Sequence, residues 1–387
     1  MEGDSLTTVL DRARDEDDIR RYLKSGRVAA TTETKQKYWQ HWKEFVRESG
    51  YRPFLDGPGD DKDGQAILGF ACRVRRGSYG RGRRVRVQTV EKALAAVSEA
   101  FEMDRWHRHR NPVVIAGGNR DPKLKLLLQG MRREDPPKDC KLAVPIDVVD
   151  WLLRYFTKTA GLRHIARLCT VAFYYLLRVG EYTVTGRSDT LTQQFRLMDV
   201  TFRDGARIIP QSAPIQTLKA ATSATLTINN QKNGVRNQAI SHDAANDPTN
   251  PVAQLAEIVH HIRSNGGRDT DLICTYFNES KRKCHVTDKR ITVAIRRAVV
   301  GTGLITQGYT VESVSSHSLR AGGATALKIA GADDLTIRKY GRWRSSTFED
   351  YIHEQIQLFS KGWSAKMAVR QPYINVGATR VIPASAA

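Results

Sequence analysis

No other stretch constrains this chain as strongly as Glu134-Asp-Pro-Pro-Lys-Asp139. Adjacent prolines lack backbone donors and hold φ fixed, so no helix runs through them. Apolar residues recur at helical spacing on both sides, and a length of 387 residues fits two domains. Before the break, Tyr38, Trp42, Phe45 and Val46 mark one face of an amphipathic helix beginning near Thr34. Asp56 to Gln65 reads as a loop, and further helices are predicted over residues 66–74, 87–103 and 122–133. The expected organisation is an acidic flexible arm (1–20), a helical domain (21–135), a linker (136–145), a second domain (146–370) and a tail (371–387). The tail lacks periodicity and is either a docking arm or disordered.

Beyond the prolines, helices are predicted over 145–157 and 162–177, after which the apolar period changes from helical to alternating. Residues 197–202, 207–209, 224–228 and 236–241 read as short strands, with Asp204-Gly205 and Asn233-Gly234 as hairpin turns. Asn250-Pro251 opens a helix to about residue 263, and Thr287 caps another to 300. Helices over 314–330, 332–340 and 347–358 follow. The expected fold class is mainly α with a small antiparallel β-sheet (α+β).

A formal net charge of +20 points to a polyanionic partner or to a basic, solvated surface. Nucleic acid is favoured over membrane, since no strongly basic amphipathic helix or lipidation signal is present. The most apolar run, 165–177, is too short to span a bilayer and carries Arg167. Between 73 and 86 lie seven arginines (Arg73, Arg75, Arg76, Arg81, Arg83, Arg84 and Arg86) and no acid, interleaved with glycines. The segment reads either as a flexible strap along a DNA backbone or as a disordered solubilising loop. Five scattered cysteines contain no CxxC pair, so neither a disulfide framework nor a metal site is expected. A reducing compartment fits best, and the polar, acidic N-terminus is not a secretory signal.

Near the C-terminus, His317-Ser-Leu-Arg320 is followed by Gly341-Arg-Trp343 and Tyr351, and upstream Arg178-Val-Gly-Glu181 sits in an apolar stretch. These residue types suit attack on a phosphodiester without a metal. Arginine neutralises charge on the non-bridging oxygens through a planar fork that never deprotonates. His317 and Arg320 are three apart on a predicted helix and project from one face. Gly322-Gly323 permits close approach of another backbone. Two helix breaks before Tyr351 let the chain fold back and gather these groups. Singly, each has a plain structural role: Tyr351 and Trp343 in packing, Arg178 with Glu181 as an ordinary ion pair, Lys232 as a solvated hairpin lysine. Arg178 and Arg320 fit such roles less well, because an unpaired charge in an apolar setting is costly.

Arg178-x-x-Glu181, His317-x-x-Arg320, Gly341-Arg-Trp343 and Tyr351, in that order around a β-hairpin, resemble the tyrosine recombinase (phage integrase) family over roughly 142–360. The strings FYYLLRVGEY and SHSLRAGGATALKIAG are similar to recombinases of eukaryotic mobile elements of the Crypton type. Residues 34–133 resemble, more loosely, the family's helical core-binding domain. The resemblance implies a core-binding domain followed by a catalytic domain that cuts and rejoins double-stranded DNA through a 3′-phosphotyrosyl intermediate. No metal, ATP or other cofactor is implied. The resemblance also implies a homotetramer on two DNA sites, and the expected location is intracellular, the nucleus in a eukaryote and otherwise the cytoplasm or nucleoid.

Carried over by motif, Tyr351 is the nucleophile and Arg178 and Arg320 bind the scissile phosphate. His317 handles a proton or holds the phosphate, and Trp343 stands where many members have histidine. Glu181 orients Arg178 or its neighbours. Lys232, on the hairpin 228–234, is the general acid toward the leaving oxygen, with Lys219 as its rival. Trp343 and Tyr351 are eight residues apart, one fewer than in many bacterial members, which leaves Tyr340 as a rival nucleophile. Leu176-Leu177 replaces the usual Thr-Gly before the first arginine. The same residues leave open a domesticated DNA-binding protein that no longer cleaves, and a type IB topoisomerase.

Overall fold

The computed structural model describes residues 14–19, 21–22, 29–56, 64–103, 111–114, 118–136, 141–185, 193–228, 238–343 and 349. These fall into two compact units, one containing the described residues through 136 and the other those from 141. The architecture is mainly α-helical with a small antiparallel sheet.

The first unit is built from α1 (Ala29–Glu48), α2 (Gln65–Arg76), α3 (Val87–Met103) and α4 (Pro122–Arg133). Trp42, Phe45 and Val46 are buried on the predicted face of α1, where Trp42 meets Phe70 edge-to-face at 5.3 Å. The Trp42 indole N–H donates to the Pro53 carbonyl at 2.8 Å, so its burial leaves no polar atom unsatisfied. Pro122 occupies the first turn of α4, and Asp121 caps it by accepting from the Leu124 N–H at 3.0 Å.

The arginine-rich segment is more ordered than its composition predicts. Arg73, Arg75 and Arg76 belong to the last turn of α2, where cations favour the helix dipole. Arg75 is buried: its guanidinium binds Asp135, the Val85 carbonyl (2.5 Å) and the Met131 carbonyl (2.9 Å). Arg73 pairs with Glu48, and Arg84 with Glu134. Neither a free strap nor a disordered loop describes these residues, because acids distant in sequence recruit part of the positive charge into the fold.

The second unit is centred on α6 (Ala160–Tyr174), which buries residues around most of its circumference. It is preceded by α5 (Ile146–Tyr155) and followed by α7 (Val179–Tyr182), a single turn. Strands β1 (Val200–Asp204) and β2 (Arg207–Ile209) form a hairpin across Gly205 at φ 55°. After α8 (Ile215–Lys219) come β3 (Ser223–Ile228) and β4 (Gln238–Asp243), giving an antiparallel sheet in the order β2-β1-β3-β4. Residues 197–199, expected as strand, instead form a 3-10 turn leading into β1. Next is α9 (Pro251–Ser264), packed on α6 and α8. Strands β5 (Thr275–Phe277) and β6 (Lys283–His285) make a second hairpin whose three-residue strands show no readable alternation in sequence. Then come α10 (Asp288–Gly301), α11 (His317–Ile329) and α12 (Asp334–Gly341).

Two contacts fix the sheet beneath the C-terminal end of α6. The Tyr175 hydroxyl donates to the Ala224 carbonyl of β3, and His242 Nε2 of β4 donates to the Tyr174 carbonyl, both at 2.8 Å. On the other side, α11 approaches α6 through Gly322 and Gly323. A Cβ at Gly322 would lie 2.1 Å from the Val144 carbonyl oxygen, and one at Gly323 would lie 2.1 Å from that of Phe173. The paired glycines therefore serve the close approach expected of them. Replacing Gly322 by alanine is expected to lower stability by about 1–3 kcal/mol through overpacking. A thermal melt reads this as a drop of several degrees; an unchanged midpoint would mean the two backbones are further apart.

Candidate active site

The site forms where α6 stops. Apolar periodicity predicts that this helix continues to 177, but it ends at Tyr174 and Leu176 adopts φ 49°. A left-handed conformation costs a branched side chain roughly 1–2 kcal/mol. It persists because both ends of Leu176 are engaged. Its side chain packs with Ala324 and Ile337, and its carbonyl accepts from Arg320 Nη1 and from Arg342 Nη2, the latter at 2.9 Å. Arg342 is itself left-handed at φ 56°. Backbone strain thus gathers on two residues that meet through one carbonyl, a placement often found at functional sites.

Five residues beyond Leu176, Glu181 faces back on this turn. Its Oε2 accepts the Arg178 backbone N–H at 2.8 Å and Arg342 Nη2 at 3.1 Å, and its Oε1 accepts Arg178 Nη1 at 3.2 Å. Side-chain exposure is 1% for Glu181, 0% for Arg342 and 27% for Arg178, so Arg178 is the most accessible member. Burial alone would raise the Glu181 pKa. The guanidinium groups of Arg342, Arg320 and Arg178, with the Arg178 N–H, reverse this and hold it below the ordinary carboxylate value. Burial lowers the Arg342 pKa, and Glu181 opposes that shift.

Arg320, in the first turn of α11, is also buried, and its Nη2 donates to the Gly341 carbonyl. Trp343 covers its guanidinium, with the ring centroid 4.3 Å from Cζ, a cation–π stack. His317, the first residue of α11, lies at the surface whereas Arg320 is buried, and the two are close enough for the Arg320 charge to act on the imidazole. Desolvation and then the Arg320 charge push the His317 pKa downward, which favours the neutral imidazole near pH 7.

Arg178 therefore meets Glu181 and Arg320 meets Trp343, and the two pairs are joined through Arg342, which binds Glu181 and shares the Leu176 carbonyl with Arg320, with His317 at the edge. Lys232 and Tyr351 lie outside the described residues. Lys219 pairs with Glu257 at 3.3 Å, a carboxylate that also binds Arg167 at 3.0 Å. Tyr340 packs against the Leu176–Ala324–Ile337 cluster, its ring lies 5.2 Å from that of His242, and its hydroxyl donates to the Ser241 carbonyl at 3.4 Å. Sequence reasoning gave Arg342 no role. Its signal was present, an arginine inside a Gly-Arg-Trp helix break, but nothing in the spacing says that this side chain turns inward to Glu181. Among the described residues, no group of three or more His, Cys, Asp or Glu is arranged to hold a metal ion.

No protein-family model and no curated protein matches the chain. Among solved structures, it is similar to XerA recombinase, with 14% identity over 88% of this chain and 100% of that one, TM-score 0.38. It is also similar to a lambda integrase (75–356) dimer bound to a COC′ core site, with 13% identity over 96% and 99%, TM-score 0.48. A third is XerH site-specific recombinase bound to palindromic difH substrate, with 15% identity over 79% and 73%, TM-score 0.48. At these values the likeness bears on neither activity nor substrate.

Glu181→Gln removes the carboxylate that compensates a fully buried guanidinium and is expected to destabilise by about 3–5 kcal/mol. Because the folded-state pKa of Glu181 is depressed, its contribution is present above the unfolded value of about 4.3. It is lost as pH falls through the lowered folded value. Denaturant unfolding should therefore show Glu181→Gln less stable than wild type at pH 7, with a shallower loss from pH 5 to pH 3.

Proposed function

We propose that this chain is a site-specific DNA recombinase or integrase that cuts and rejoins double-stranded DNA through a 3′-phosphotyrosyl bond. The observation that supports it is the convergence of Arg178, Glu181, Arg320, Arg342 and Trp343 on the Leu176 turn. Boxes more than a hundred residues apart in sequence meet there, with three guanidinium groups in one place. Three buried or half-buried cations beside a single carboxylate leave net positive charge, which suits a phosphodiester.

In this mechanism the Tyr351 oxygen attacks phosphorus, the bond to the 5′ oxygen breaks, and that oxygen takes a proton from Lys232. The free 5′ hydroxyl of the same or another strand then attacks the phosphotyrosine, restoring the tyrosine and a phosphodiester. The bond energy is retained, so no ATP is consumed. Arg178, the most accessible guanidinium, contacts a non-bridging oxygen and is held in orientation by Glu181. Arg320 lies beneath Trp343, so its part in holding the phosphate requires that ring to move as DNA enters. Neutral His317 is suited to receive the tyrosine proton or to donate to the phosphate. Arg342 acts on DNA only through Glu181 and the Leu176 carbonyl. Exchange between two sites calls for four active sites, hence a homotetramer on two duplexes.

The test is covalent trapping on nicked suicide substrates that carry the element's own termini. Wild type is expected to form a protein–DNA adduct and Tyr351→Phe none, while Arg178→Ala should slow adduct formation on the order of a hundredfold or more. An adduct that persists in Tyr351→Phe reassigns the nucleophile. Absence of any adduct with wild type leaves a DNA-binding protein without cleavage, and sequence-independent relaxation of supercoils identifies a topoisomerase instead.

A further inference from the structure

The first unit contains a recess that the proposed cleavage chemistry does not use. It has a volume of about 320 Å³ and lies between α1, the end of α2 and the turn 77–83. Lys37, Arg81 and Arg83 line it with Tyr38, His41 and Tyr79, and among the described residues no aspartate or glutamate does, though Glu44 and Glu48 act on His41 and Tyr79 from outside the lining. The arrangement differs from the rest of the basic segment, where Arg73, Arg75 and Arg84 are neutralised by Glu48, Asp135 and Glu134.

The recess is built rather than incidental. Gly77 sits at φ 79°, and a Cβ there would lie 2.1 Å from the Arg83 carbonyl oxygen, so the turn closes tightly on itself. Backbone bonds from the Gly80 and Gly82 N–H groups to the Gly77 carbonyl, and from Val85 to Arg75, hold it closed. On the wall, the His41 and Tyr79 rings stack at 4.6 Å and 13°, and Tyr38 meets His41 edge-on at 6.1 Å. His41 Nδ1 is buried with no hydrogen-bond partner among the described residues.

Three lining cations with no lining acid select an anion, and the aromatic wall, its His41 and Tyr79 rings stacked on each other, offers apolar contact to a flat ring. The volume falls near the lower end of the range for small-ligand sites, roughly 300–1,000 Å³, enough for one nucleotide and not for a strand. Bases within a duplex have both faces covered by their neighbours, whereas an unpaired base offers its face to a side chain. We propose that this recess binds a single unpaired nucleotide, its phosphate held by Lys37, Arg81 and Arg83 and its base against the Tyr38–His41–Tyr79 wall. The site stands on the first unit alone and goes beyond duplex cleavage, because it reads whether a base is paired.

Full-length protein is titrated with a labelled five-nucleotide single strand and with the same sugar–phosphate chain lacking bases. The base-bearing strand is expected to bind on the order of tenfold more tightly. In Tyr79→Leu that advantage should disappear, and Arg81→Ala with Arg83→Ala should weaken both ligands. Equal affinity of the two ligands for wild type, or no binding of either, overturns the proposal. Tyr79 also packs near Phe70, so a measurement without a variant accompanies these: photocrosslinking wild type to a strand carrying 5-iodouracil. Crosslinks at Tyr38, His41 or Tyr79 are expected, and crosslinks exclusively elsewhere overturn the assignment. Binding is read without cleavage, so a failure of strand transfer in the second unit does not affect the result.

Discussion

Glu181 is a carboxylate with almost no contact with water, and the junction after α6 depends on how that charge is matched. An isolated buried carboxylate would cost several kcal/mol and would take up a proton instead. Here it remains an anion because Arg342 and the Arg178 backbone N–H donate to one carboxylate oxygen and the Arg178 guanidinium to the other. The same pairing permits Arg342 to be buried. Each charge is tolerable inside the protein only in the presence of the other, so the turn after α6 and the break after α12 are coupled electrostatically.

The coupling explains the local strain. Two of the four non-glycine residues with positive φ among the described residues, Leu176 and Arg342, lie at this junction. The Leu176 carbonyl has to point away from the helix axis to accept from Arg320 and Arg342, and leaving the helix early is what turns it. The three arginines consequently differ in role. Arg342 is fully enclosed and works on the protein itself, Arg320 lies beneath an aromatic lid, and Arg178 reaches the surface while anchored at its base.

Much of the framework was legible from residue spacing. The helices over 87–103 and 122–133, the Asp204-Gly205 hairpin and the glycine pair on α11 all rest on local rules of periodicity, turn chemistry or side-chain size, and they stand where those rules put them. The misses share a different origin. The helix predicted to 177 stops at Tyr174, and guanidinium groups from 320 and 342 take up the Leu176 carbonyl just beyond it, partners that no local window contains. Arg75 resembles its six neighbouring arginines in sequence yet is buried, because Asp135 lies sixty residues away in the chain and beside it in the fold. The β5–β6 hairpin escaped notice because strands of three residues show too little alternation to read.

By itself the sequence determined which residue types were available and in what order: two arginine boxes, an aromatic lid, a histidine, and a basic segment in the other unit. Those follow from covalent order and from chemistry that each side chain carries into any environment. Only the tertiary structure decided which arginine faces solvent, which is enclosed, and which basic residues surround a recess without acids. Burial and ion pairing depend on distances between residues far apart in the chain, and a single charge changes from a free surface cation to a structural tie according to whether a carboxylate lies beside it.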